Sequence, residues 1–331
     1  MTRLIGHDHA VNALREAVES GRLHHAWLLA GPKGVGKGMF AEMAARWLLA
    51  QAAGPAWPQE GLSVPDNHPA SMLYSAGSHP DFRRLARLVD EKTGRTARSI
   101  TVDQVRSLQG LFATTGSYSD RRVVIIDAVD DLERSAANAL LKNLEEPPAG
   151  SIFFLISHSP GRLLPTIRSR CRVIRFHPLD EPAMRQALGA ALPDRDSVEI
   201  DELVEIGDGA PGQALSFAGL GISQLDRSID QLIRSGDPTN ADRVALSRAL
   251  SLQAAQPRYE AFLTRVPIRI AAYARTRSGD ALKQALQAWG EAQSLASSAL
   301  AHSLDPQTTI FQLCSLLADL AGKAGSAKAR P

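Results

Sequence analysis

Apolar residues along this chain change their spacing near residue 178. Before it, short apolar runs alternate with helical patterns. HAWLLAG, residues 25–31, reads as a buried strand. After it, Phe40, Met43, Ala44, Trp47 and Leu48 recur at the spacing of one helix face. VVIID (123–127), IFFLIS (152–157) and RVIRF (172–176) predict three more strands. Between the first two of these, SAANALLKNLEE predicts a helix halted by Pro147 and Pro148. Strands alternating with helices predict an α/β domain over residues 1–178, with a parallel sheet covered on both faces.

Residues 53–80 interrupt this rhythm. Prolines 55, 58, 65, 69 and 80 make a sizeable helix or strand unfavourable over most of the segment, which reads as a long surface excursion. Past 178 the strand signals stop. DEPAMRQALGAAL opens a small helical set, residues 179–222, and an all-helical region fills 223–331. Asp305-Pro306 marks one helix start there, an N-cap followed by proline at the first helical position. The closing GKAGSAKARP reads as a frayed end.

Composition narrows the class. The 331 residues suffice for two or three domains, and 44% of them are hydrophobic, ordinary for packed cores. A net charge of +2 does not by itself predict nucleic-acid binding. Two cysteines, Cys171 and Cys314, exclude a disulfide framework and a four-cysteine metal site. MTRLIGHDHA has charges where a signal peptide needs an apolar run, and no stretch of about 18 apolar residues occurs, so no membrane segment and a cytoplasmic location are expected.

The stretch GPKGVGKG, residues 31–38, carries the first candidate chemistry. Gly31, Gly34, Gly36 and Lys37 follow a strand and precede a helix, the context of a phosphate-binding loop. Glycines let backbone amides turn toward phosphate oxygens, the helix start adds partial positive charge, and Lys37 would reach the terminal phosphates. The next position should be Ser or Thr, whose hydroxyl holds magnesium, but here it is Gly38. Asp127, closing VVIID, stands where a metal-side carboxylate is needed, yet Ala128 follows it and no side chain there can polarise water. Asp130 and Asp131 are expected to point elsewhere. Hydrolysis by the chain alone is not expected; binding of a nucleotide without turnover stays open.

A second candidate is basic. Arg162, Arg168, Arg170, Arg172 and Arg175 lie in a segment, 151–179, that contains no Asp or Glu. These guanidinium groups are expected to lack local partners; Arg162, Arg172 and Arg175 read as a solvated basic surface, and some of the five are expected to face DNA phosphates. Arg168 and Arg170, in TIRSRC before a strand, suit phosphate held by another subunit. An arginine supplied in trans accelerates phosphoryl transfer by about 10³–10⁵.

Together these residues resemble the clamp-loader branch of the AAA+ proteins, as found in bacterial DNA polymerase III. The resemblance covers most of residues 5–178. It runs from IGHDHAVNALREAVESGRLHHAWLLAGPKGVGK through GSHPDF, ITVDQVRSL and SAANALLKNLEEPP to FFLISHSPGRLLPTIRSRC. It implies an AAA+ P-loop domain, a small helical lid at 179–222 and a helical collar at 223–331. Ser169-Arg170-Cys171 matches the family's SRC motif, whose arginine acts on ATP bound by a neighbouring subunit. Ser157 falls at the first sensor, a polar residue near the terminal phosphate. The second sensor, an arginine in Gly-x-x-Arg-x-Ala-Leu, is replaced by Gly212 in Gly209-Ala210-Pro211-Gly212-Gln213-Ala214-Leu215.

The resemblance further implies a non-motor subunit in a five-membered ring. Its expected partners are the motor subunit (gamma or tau), the clamp-opening subunit (delta) and, through the complex, the sliding clamp and primed DNA. No membrane contact is expected. ATP is expected at the neighbouring subunit, with no certain cofactor of this chain's own. Many family members carry a four-cysteine zinc module before the HPD motif. Residues 53–80 contain no cysteine, so zinc is not expected: Asp66, His68, His79 and Asp81 can be imagined as ligands, but the histidines read as loop residues and the loop as held by packing instead of a metal. Two alternatives stay open: an active AAA+ ATPase, and a DNA-binding adaptor outside any ring.

Overall fold

The structure, a computed structural model, describes residues 4–321 except 59, 91, 93–95, 114–118 and 303. The end predicted to fray, 322–331, lies outside the described residues. The chain divides into two compact units, residues 1–215 and 216–331.

The first unit is built in the order α1 (Asp8–Glu19), β1 (Ala26–Ala30), α2 (Lys37–Ala52), α3 (Pro69–Ser75), β2 (Phe82–Ala86), α4 (Val102–Arg106), α5 (Leu108–Ala113) and β3 (Arg122–Asp127). It continues through α6 (Arg134–Glu145), β4 (Ser151–Ser157), α7 (Pro165–Arg168), β5 (Arg172–Arg175), α8 (Glu181–Ala191) and α9 (Ser197–Gly207). The division between the units falls within α10 (Pro211–Phe217).

The five strands form one sheet in the order β2-β3-β4-β1-β5, every neighbouring pair parallel. Alternation along each strand sends side chains to opposite faces. Trp27, Leu29, Val123, Ile125, Phe154 and Ile156 join a core with Leu14 of α1 and Phe40, Ala44 and Leu48 of α2. Leu28, Val124, Ile126, Phe153 and Leu155 join the opposite core with Val105 of α4, Leu108 of α5 and Leu140 of α6. Each buried side chain of this size stabilises by about 1.5–3 kcal/mol, so the central strands are fixed in position and register.

Four strands fall where the hydrophobic pattern predicted them. The fifth, β2, was not predicted. It is an edge strand whose exposed Arg83 and Arg84 interrupt the apolar pattern. Residues 53–80 also differ from a plain surface excursion. They contain the seven-residue helix α3, and Leu62, Val64 and Ala70 are buried in the first core. His68 caps α3 by accepting the Ala70 amide, and its other ring nitrogen meets the Pro55 carbonyl at 3.1 Å. Asp66 pairs with Arg46 at 3.5 Å, and Asp81 accepts the Ser119 amide at 3.0 Å.

The second unit is helical: α11 (Ile222–Ser235), α12 (Ala241–Leu250), α13 (Gln256–Arg275), α14 (Gly279–His302) and α15 (Pro306–Ala321). Asp305 caps α15 through the Thr308 amide at 2.8 Å, with Pro306 in its first turn, as the sequence predicts. Asp226 and Asp230, one turn apart on α11, take Arg265 and Arg269, one turn apart on α13. Among the described residues no helix is long and apolar enough to cross a membrane.

Candidate functional site

The glycine loop leaves the end of β1 and enters α2. Its path is set by close backbone approaches. A Cβ at Gly31 would lie 2.2 Å from the Phe176 carbonyl oxygen; one at Gly34, where φ is +81°, would lie 2.5 Å from the Gln213 amide nitrogen. Only glycine fits at either position. Gly36 then supplies the turn before α2, whose first residue is Lys37.

Lys37 is buried, and its ammonium donates to two carbonyls of its own loop, Gly31 at 2.6 Å and Pro32 at 2.5 Å. Burial pushes its pKa down to about 8, against the opposing pull of Asp130 and Asp127. His7, from the chain before α1, donates from Nε2 to the Val35 carbonyl at 2.8 Å and packs on the Phe176 ring. Burial keeps the His7 pKa below its ordinary value.

Beside the loop lies a cavity of about 660 Å³. Lys33 to Met39 line one side, Asp127, Ile156 and His158 another, and Leu4, Ile5, Leu179, Ala187, Ala191 and Leu215 an apolar end. That volume lies within the range of small-molecule sites. The cavity sits at the carboxyl ends of the parallel strands, where open α/β sheets bind ligands.

The polar groups around the cavity are engaged with one another. Asp127 Oδ2 accepts a hydrogen bond from Arg84 at 2.7 Å. The same guanidinium reaches Glu42 of α2 at 3.0 Å. Tyr74 of α3 donates its hydroxyl to Glu42. Ser157 is fully buried and donates to Asp130 Oδ1 at 3.0 Å. Asp130 also accepts the amides of His158 at 2.6 Å and Ser159 at 3.2 Å. Asp130 therefore does not point elsewhere, as expected from its loop position. A turn of 3₁₀ helix, Val129–Asp131, brings it back to clasp the ends of β3 and β4. Asp131 does turn away, to Arg87 at 3.2 Å.

Gly212, at the start of α10, lies directly against the loop. Its amide donates to the Gly34 carbonyl at 2.8 Å, and a Cβ built on it would lie 3.0 Å from Gly34 Cα. Gly38 is different: a Cβ there meets nothing within 4 Å.

Arg170 lies beyond α7, away from this cluster in the chain. Its guanidinium meets Glu145, the last residue of α6, at 2.8 Å and donates to the Thr166 carbonyl at 2.9 Å. Arg172 stacks over the Trp27 ring at 4.8 Å. Arg170 thus has one local partner, the Thr166 carbonyl, against the expectation of none; its carboxylate partner Glu145 and the Trp27 ring under Arg172 come from α6 and β1, which adjoin them only through the fold. Within the motif, Ser169 is exposed and bonds the Thr166 carbonyl, while Cys171 turns inward to the Ile167 carbonyl. Burial raises the Cys171 thiol pKa to about 12, so it stays protonated.

Sequence reading missed Arg84, Glu42, Glu145 and the inward turn of Asp130. One signal was available for Arg84. In FRRLA a charged pair is flanked by Phe82 and Leu85, the mixed pattern of an edge strand.

A parallel sheet that feeds a glycine loop into a helix, with a lysine at the helix start and a carboxylate ending a neighbouring strand, defines a P-loop domain of the AAA+ class. The chain belongs to the family described as "DNA polymerase III, delta subunit", which it matches over residues 6–180. It is 39% identical over 201 residues to the DNA polymerase III subunit delta' of Pseudomonas aeruginosa, an alignment covering 60% of this chain and 57% of that protein. It is 30% identical over 261 residues to the gamma/tau subunit of Mycobacterium tuberculosis, covering 75% of this chain and 39% of that one. It thus spans about half the length of the curated relatives it matches. A gamma-subunit-related protein of Thermotoga maritima superposes with a TM-score of 0.42 at 16% identity, covering 94% of this chain and 99% of that one.

Proposed function

We propose that this chain is a non-motor subunit of a bacterial clamp loader within DNA polymerase III, and that it contributes Arg170 to ATP bound by a neighbouring motor subunit. One contrast carries the reading. The chain's own phosphate-loop groups are engaged inside the chain, whereas Arg170, though paired with Glu145, stands at the surface with about a third of its side chain exposed. Lys37 is turned onto loop carbonyls, Asp127 onto Arg84 and Ser157 onto Asp130. Gly38, Ala128 and Gly212 lack the side chains that turnover would use. A planar, permanently charged fork such as Arg170 suits an anionic group presented by a partner.

In this reading residues 179–222 act as the lid and 223–331 as the collar that gathers the ring. The partners are the gamma or tau motor subunit and the delta subunit, and the complex acts on the sliding clamp and primed DNA in the cytoplasm. The chain itself turns over no ATP and holds no zinc.

The test is clamp-dependent ATP hydrolysis by reconstituted complexes. Arg170→Ala should lower it, since an arginine in trans is worth about 10³–10⁵ at the site it serves. Lys37→Ala should leave it nearly unchanged. An unchanged rate with Arg170→Ala overturns the proposal. A larger fall with Lys37→Ala favours a second reading, a working site in this chain, for which the open cavity and the retained lysine speak.

A further inference from the structure

Position 38 and Asp127 frame the place where a hydrolytic phosphate loop holds its divalent cation. The residues present do not fit one. Gly38 offers no hydroxyl. Glu42, one helical turn further along α2 and on the same face, shares a single guanidinium with Asp127, at 3.0 and 2.7 Å from Arg84. The other nearby carboxylate, Asp130, is held by Ser157 and two backbone amides. One oxygen of Asp127 and both oxygens of Glu42 and of Asp130 are thus committed to N–H and O–H donors, which leaves too few for a hard cation.

Arg84 reaches this place from β2, beside β3 in the sheet. Burial works against its charge, but the hydrogen bond to Asp127 and the nearby carboxylates outweigh it and hold its pKa above the ordinary arginine value. Tyr74 supports the arrangement by donating to Glu42. Steric room is not what denies position 38 a hydroxyl, because a side chain there would enter open space.

We propose that Arg84 is a built-in replacement for the divalent cation of this site. Its guanidinium neutralises Asp127 and Glu42 together and cross-links the end of β3 to α2. The pocket therefore recruits no metal ion, with or without a hydroxyl at position 38. A cation fixed to the chain cannot come and go with a nucleotide, so the link between sheet and helix is permanent. This inference concerns the chain's own residues and stands independently of any role for Arg170.

The probe is Mn²⁺ alone, titrated into the full chain and followed by the loss of its free-ion electron paramagnetic resonance signal. The wild type and Gly38→Ser should show no Asp127-dependent site tighter than about 1 mM, the weak end of protein cation sites. Gly38→Ser with Arg84→Gln should gain one site, at least about tenfold tighter, that Asp127→Asn abolishes. Overturning results are a Mn²⁺ site in the wild type or in Gly38→Ser that Asp127→Asn removes, or a folded double variant that gains none. Should Arg84→Gln not fold, Gly38→Ser decides: acquisition of an Asp127-dependent site there means that the missing hydroxyl, and not Arg84, keeps the metal out.

Discussion

Gly212 and Gly34 meet backbone to backbone: the amide of one donates to the carbonyl of the other at 2.8 Å, with no side chain between them. The position that the family resemblance assigns to a sensing arginine is here the point where the start of α10 latches onto the phosphate loop. The two absences along this wall are physically unlike. At Gly38 a side chain is merely missing; at Gly212 one is crowded by the Gly34 backbone.

That difference predicts opposite outcomes for two substitutions. Gly212→Arg places a Cβ 3.0 Å from Gly34 Cα, so the loop or α10 has to give by a few tenths of an ångström. It should cost about 1–3 kcal/mol, as overpacked sites do. Gly38→Ser should stay within about 0.5 kcal/mol of the wild type, since it fills open space. Urea unfolding of the full chain distinguishes them. Equal stabilities would mean that the latch yields freely.

Lys37 should produce a pH dependence of stability. Its folded pKa of about 8 lies below the ordinary lysine value of 10.5. Between those values the unfolded chain holds the proton and the folded chain does not. The unfolded state then binds more protons, so the contribution of Lys37 to stability rises with pH across that window. The gap in unfolding free energy between wild type and Lys37→Met should widen in favour of the wild type from about pH 8 to 10, by up to about 1.4 kcal/mol per pH unit. A gap independent of pH would show that the lysine keeps an ordinary pKa.

Arg170→Ala should leave the chain folded and within about 1 kcal/mol of the wild type, because its partner Glu145 is half exposed and such pairs are weak. Thermal unfolding in low and high salt checks this. The control matters for the proposed function. Any loss of ATP hydrolysis by the complex would then reflect missing chemistry, not a misfolded subunit.

In the second unit, the pair between Arg265 and Asp226 is almost fully buried. Arg265→Ala strands a buried carboxylate and should cost about 3–5 kcal/mol. Replacing both by apolar residues of similar volume, Arg265→Met with Asp226→Leu, should recover most of that loss. A double variant as unstable as the single one would show that Asp226 is not the residue whose isolation costs stability.

Much of the first unit could be read from the chain. The central strands are buried on both faces and therefore written as unbroken apolar runs, so VVIID and IFFLIS reveal themselves. The edge strand β2 does not, because an edge tolerates Arg83 and Arg84 and so loses the apolar signature. The same tolerance concealed the arginine that pairs with Asp127. Asp130 was misjudged for a related reason. Its distance from Asp127 in sequence suggested a separate loop, while a turn of 3₁₀ helix returns it to Ser157.

The sequence by itself determined the α/β class, the glycine loop with its lysine, the missing groups at positions 38, 128 and 212, and the SRC motif. Each is a matter of which side chain stands at which position, or of a spacing within one element. Only the tertiary structure decided the partners. Arg84 meets Asp127 across 43 residues, Ser157 meets Asp130 across 27, and Arg170 meets Glu145 from another helix. Periodicity reports how one element faces its core. Pairings between charged groups depend on where the sheet sets its strand ends, and strand order carries no local signal in the chain.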